Sequence, residues 1–144
     1  MPQDNAALSR RWFKEVWNEN RENTVNELMT SETVIHGLGA DDQPAVGPEA
    51  FKKFLHLFRA ALSGIHVVVH DVLSEGDQTV TRLTLTATHT GHGFGVAPTG
   101  VPVKLTAIVW ARWRDGRIIE GWNEFDAAGM MKQIGAGAGG AAKA

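Results

Sequence analysis

The sequence predicts a single α+β domain with helices packed on one face of a curved sheet. Three observations predict it. The first third of the chain spaces its apolar residues at helical intervals. After residue 64 the apolar period switches to two. Gly, Asp and Pro turn signals then divide the remainder into four consecutive strands that can pair as antiparallel neighbours.

The elements follow in order. Residues 5–19 place Leu8, Trp12, Phe13, Val16 and Trp17 on one helical stripe with charges between them. Residues 24–29 form a short second helix, and residues 33–36 a short strand. Residues 37–47 are a loop rich in Gly, Asp and Pro. Gly47-Pro48-Glu49 starts a helix with Pro in its first turn, and Ser63-Gly64 ends it. That helix carries Phe51, Phe54, Leu55, Phe58 and Leu62 on one face. Strands are predicted over 65–74, 78–90, 103–114 and 117–126, with Asp115-Gly116 as a hairpin turn. The loop over 91–102 holds four Gly and two Pro, which suits a lid or rim. A short helix spans 127–134, with Asp126 as its cap. The domain covers 1–135, and the Gly/Ala tail 136–144 is expected to be disordered.

Alternation assigns the strand faces. Val103, Leu105, Ala107, Val109, Ala111 and Trp113 form an apolar inner row. Leu83, Leu85, Ala87 and His89 form a second, and Ile119, Gly121, Asn123 and Phe125 a third. Small residues recur on this face, which leaves room for a cavity between sheet and helices. Asn123 is the polar exception in its row. A buried amide without partners costs a few kcal/mol, so Asn123 either ties a structural network or lines a ligand cavity. His89 ends its row. It can serve as acid or base near neutral pH, or anchor the loop that follows. His36 beside the loop of 37–47 is a weaker candidate of the same kind. Trp12, Phe13 and Trp17 are core residues with a share in the cavity wall.

The outer face carries Ile108, Trp110 and Trp122 among Arg112, Glu120 and Glu124. Two exposed Trp on one sheet face predict a homodimer interface with a charged rim.

Composition narrows the functions. The chain has 144 residues, a net charge of −2 and 43% hydrophobic residues, with no Cys and no Tyr. That length buries about two-thirds of the unfolded surface. No basic cluster points to nucleic acid, and no apolar run is long enough for a membrane span. The polar N-terminus resembles no signal peptide, so a cytoplasmic location is expected. No thiolate is available for disulfide, nucleophile or metal, and no His pair has a third ligand nearby, so no metal site is expected. Any general acid must be His, Asp, Glu or Lys.

Several motifs together resemble a known family. They are Thr86-Ala87-Thr88-His89-Thr90-Gly91, Gly95-Val96-Ala97-Pro98-Thr99-Gly100, and the segment from Asp115-Gly116 through Gly121-Trp122-Asn123-Glu124-Phe125-Asp126. Val34-Ile35-His36-Gly37, Gly47-Pro48-Glu49 and Gln133-Ile134-Gly135 add to them. Over residues from about 5 to 135 the chain resembles the SnoaL-like polyketide cyclase (ester cyclase) family of the nuclear transport factor 2-like superfamily. The resemblance implies a cone-shaped curved antiparallel sheet with N-terminal helices over its concave face. It also implies intramolecular aldol chemistry without metal or cofactor. The family's essential Asp falls on Asn123, its supporting His on Val109 and its Gln on Ala107. All three positions differ, and an amide cannot remove a proton from carbon.

The leading expectation is a cofactor-independent cyclase-like lyase or isomerase acting on a small apolar carbonyl compound. His89 would be its acid/base, and Asn123 its orienting or oxyanion-stabilising donor. Trp12, Phe13, Trp17, His36, Ala107, Val109 and Phe125 would contact the ligand. The alternatives are a non-catalytic binding protein for an apolar metabolite and a dimeric scaffold with an incidental cavity.

Overall fold

A computed structural model describes residues 4–38 and 43–135. The tail 136–144 and part of the loop 37–47 lie outside the described residues. Helix α1 runs Asn5–Trp12 and continues as a π-helical stretch, Phe13–Asn18. Asp4 caps α1 by accepting the Ala7 amide at 3.0 Å. The predicted single helix over 5–19 therefore changes winding at its middle. The wider turn sets both Phe13 and Trp17 toward the sheet. Its terminal carbonyls, those of Val16 and Trp17, accept from the Arg59 guanidinium at 2.7 and 3.1 Å. Burial lowers the Arg59 pKa from its ordinary value.

Helix α2 is Asn23–Leu28, β1 is Met29–His36 and β2 is Ala45–Val46. β1 begins four residues earlier than the pattern predicted, and β2 interrupts the predicted loop by pairing with Val34 and Ile35. Helix α3 is Gly47–Ala61, and β3 (Leu62–Glu75) starts directly after it. Ser63-Gly64 thus lies inside the strand, where the β3–β4 register shifts. Strands β4 (Gln78–His89), β5 (Pro102–Arg114) and β6 (Arg117–Phe125) and helix α4 (Ala127–Gly135) agree closely with the expected segments. Asp126 accepts the Gly129 amide at 2.9 Å, the expected cap.

The sheet order is β2-β1-β6-β5-β4-β3. All neighbours are antiparallel except β1 and β6, which are parallel. The six strands curve without closing, with bulges bending β1, β3 and β6. The bulge in β6 corrects one predicted face. Arg112 pairs with Glu120 but the next residue, Trp113, pairs with Ile118, so Ile119 is the extra residue. Ile118 turns into the core instead of Ile119. One apolar core joins the inner rows of β4 and β5 to the stripe of α1 and the π-helical stretch and to α3. Its centre is aromatic: Trp17 packs edge-on against Phe51, Phe54 and Phe58. No helix among the described residues is long and apolar enough to cross a membrane.

Candidate functional site

The space between sheet and helices forms two small lobes that meet at Phe13, Val109 and Asn123. Their position follows from cross-strand register. Thr81 pairs with Val109 and Val109 with Asn123, so these three make one row across the inner face. The next row is Thr79, Ala111 and Gly121. Two small residues there leave the deep lobe open. A Cβ on Gly121 would come within 3.0 Å of Ile35 Cδ1, so the glycine is part of that opening. The deep lobe has a free volume of about 40 Å³ and the upper lobe about 50 Å³. A water needs roughly 10–15 Å³ of this measure, so each lobe has room for only a few waters. Above the upper lobe a broad apolar basin of about 630 Å³ lies between α3, α4 and the loop carrying Phe94. Basin and upper lobe share Leu38, Phe54, Phe58 and Phe125, which form the throat of a funnel.

Asn123 is the polar group shared by both lobes. Its Nδ2 donates to the main-chain oxygen of His36 at 3.2 Å. A carbonyl only accepts, which fixes the amide orientation. One N–H is spent on that bond. The other N–H and Oδ1 make no hydrogen bond among the described residues. The approach of the two strands is close: Gly37 has φ +80°, and a Cβ there would lie 2.1 Å from the Asn123 carbonyl oxygen.

Of the other residues singled out from sequence, Trp12 borders the deep lobe, and Trp17, Ala107 and Phe125 border the upper one. Two are not brought to the cavity. His36 has its side chain on the outer sheet face, because it pairs with Trp122 while Ile35 pairs with the inward Gly121. There its ring stacks on Trp122 and its Nε2 lies 2.8 Å from Glu120. His89 is fully buried but lines neither lobe nor the basin. Its Nδ1 accepts the Thr99 main-chain N–H at 3.3 Å and lies 2.9 Å from Thr99 Oγ1. Its backbone holds Val101 and Gly100 at 2.9 and 2.8 Å. An amide can only donate, so the neutral ring keeps its proton on Nε2, which is buried without a partner. His89 is the clasp that closes the 90–101 loop.

The pattern contained further residues of the site. Ser9 falls on the apolar stripe of α1, and Thr79 and Thr81 continue the inner row of β4. All three are buried and border the deep lobe. They carry the same signal as Asn123, a polar side chain on a core face. No ionisable side chain borders either lobe among the described residues; Lys53 stands at the basin. No group of three His, Asp or Glu is placed to hold a metal among the described residues.

Residues 7–134 match the family model of the SnoaL-like polyketide cyclases. The chain belongs to the SnoaL-like polyketide cyclase family. Its fold is similar to that of IdmH from Streptomyces antibioticus, a candidate polyketide cyclase. The two are 27% identical with a TM-score of 0.80, over 92% of this chain and 99% of that one. A SnoaL-like candidate cyclase from Jannaschia sp. CCS1 is also 27% identical, with a TM-score of 0.82 over 92% of each chain. AclR from Streptomyces galilaeus, a candidate hydroxylase, shares the fold at 22% identity and a TM-score of 0.77, over 90% of this chain and 79% of its own. No curated protein matches the sequence. The SnoaL-like cone thus accounts for the curved sheet, the helices over it and the funnel between them. At Asn123, Val109 and Ala107 this member carries an amide and two apolar side chains facing that funnel.

Proposed function

We propose that this SnoaL-like protein is a cofactor-independent cyclase-like lyase or isomerase for a small, mainly apolar carbonyl compound. The observation that carries the reading is Asn123, the polar group common to both lobes, with one amide N–H held by His36 and the other unspent. A ligand entering from the basin passes Phe54, Phe58 and Phe125 and brings its carbonyl oxygen to the second N–H. The lobes are small, so these aromatic side chains must shift to admit it. Inside, apolar walls exclude water, and a fixed donor polarises the carbonyl more strongly than solvent does. A polarised carbonyl in a folded chain is the electrophile for ring closure. Proton transfer by His89 requires its release from Thr99 and opening of the 90–101 loop, because the clasped ring reaches neither lobe.

The absence of ionisable side chains along both lobes, among the described residues, favours a second reading: non-catalytic binding of an apolar metabolite. One assay separates the two. A linear diketone whose ring closure gives a UV-absorbing cyclic enone is incubated with wild type and with Asn123→Leu. The catalytic reading expects acceleration over buffer that falls about 10²-fold in the variant. Binding without acceleration supports the second reading. Neither binding nor acceleration leaves a scaffold with an incidental cavity.

A further inference from the structure

The deep lobe holds hydroxyl hydrogens that no group of the chain accepts. Trp113 Nε1 donates to Thr79 Oγ1 at 2.9 Å. Thr79 Oγ1 lies 2.9 Å from Ser9 Oγ, and either hydroxyl can be the donor. Three hydrogens serve this chain of groups and two are used. Whichever hydroxyl donates, the other keeps an unspent O–H. Thr81 adds a second, because its hydroxyl makes no hydrogen bond among the described residues. Ser9 is 4% exposed, and Thr79 and Thr81 are 1% exposed. All three residues are buried, and buried donors are almost always satisfied. What they lack is an acceptor, and the empty space beside them is where one fits.

We infer that the deep lobe is an oxygen-recognition subsite, in which the Ser9–Thr79 pair and Thr81 donate to a carbonyl or hydroxyl oxygen at the buried end of the ligand. The inference rests on the funnel being a ligand site and adds a polar end to it. Asn123, in the same cross-strand row as Thr81 and two strands away, then meets a second oxygen. The preferred ligand is an apolar compound with oxygens at two positions. In the free protein a water can hold the same place, because the lobe is large enough for one and offers it several donors.

The test compares acetophenone with ethylbenzene, which are nearly equal in size and differ by the carbonyl oxygen. Binding is followed by the Trp113 indole N–H resonance, which reports directly on Thr79. Wild type should bind acetophenone at least about tenfold more tightly, because ethylbenzene leaves the buried donors unpaired. The Ser9→Ala/Thr81→Val double variant, which keeps only the Thr79 hydroxyl as a free donor, should reduce the preference at least about threefold while keeping its ethylbenzene affinity, which also shows that the lobe remains folded. Equal binding of both probes to wild type overturns the inference and leaves only a water site. A preference undiminished in the double variant but lost in Asn123→Leu assigns the oxygen to the amide, which also overturns it. Both of those results keep the funnel as a ligand site. Failure of wild type to bind either probe removes the ligand site and this inference together.

Discussion

The side-chain amide of Asn123 donates to the main-chain oxygen of His36 across the parallel junction of β1 and β6. At this point a carboxylate would set an oxygen against a carbonyl oxygen. Asn123→Asp can keep the bond only when protonated. Partial burial and the facing carbonyl both raise the carboxyl pKa above its usual value of about 3.9. A folded pKa above the unfolded one means stability present at low pH and lost as pH rises through the folded value. The variant should melt close to wild type near about pH 4 and several degrees lower near about pH 8, the effect of roughly 1–3 kcal/mol in a domain this long. Parallel melting curves across that range would show that the junction does not depend on the amide.

His89 and Thr99 give a second expectation. His89→Leu removes the acceptor of the Thr99 amide and leaves a partly buried donor unpaired. The melting temperature should fall by a few degrees, for a loss of about 1–2 kcal/mol. Amide exchange at Thr99 and Gly100 should quicken, because both hydrogen-bond to His89. Unaltered exchange would mean that the loop is held elsewhere, chiefly by Gly91, whose amide reaches the Ala61 carbonyl at 3.0 Å.

On the outer face, Trp110 and Ile108 are 45% and 48% exposed, and Val68 is 47% exposed. Arg112 lies over Trp122 beside them. We propose that a second copy of the chain covers this face. Light scattering should give a dimer for wild type and a monomer or aggregate for Trp110→Glu. A variant that stays dimeric would place any self-association on another surface.

The acid limb of stability should depend on the contact of α1 and the π-helical stretch with α2. Glu15 is held below its ordinary pKa by the Thr24 hydroxyl first and by Arg11 next. Hydrogen bonds from Arg11 and Arg21 do the same for Glu27. Depressed carboxylate pKa values mean stability present above the unfolded value and lost as pH falls through the folded one. Glu15→Gln should flatten the decline in melting temperature below about pH 4.5. An equally steep decline in that variant would assign the acid sensitivity to other carboxylates.

Much of the fold was legible along the chain. The inner row of β5, the Asp115-Gly116 hairpin, the Asp126 cap and the approximate extent of β4 to α4 each depend on neighbours a few residues apart. Local period and turn chemistry are sufficient for such features. The cyclase family was legible for the same reason, since its motifs lie at turns and strand ends. Asn123 was legible as a polar residue on an apolar face. Ser9, Thr79 and Thr81 carried that signal too, but short hydroxyl side chains are common enough in helices and strands to pass unremarked.

Other features were decided only in three dimensions. The side on which His36 projects depends on the parallel pairing of β1 with β6, between segments more than eighty residues apart. The inward turn of Ile118 depends on one extra residue in β6 measured against β5. His89 became a loop clasp because Thr99 returns to it from ten residues away. In each case strand alternation specifies that a side chain must choose a face, but only the partner strand or the returning loop supplies the contacts that choose it. The same division applies to the funnel. Small and polar residues on the inner rows were present in the sequence, while the volume left between them was set by how Phe13, Trp17 and the three Phe of α3 pack against that sheet.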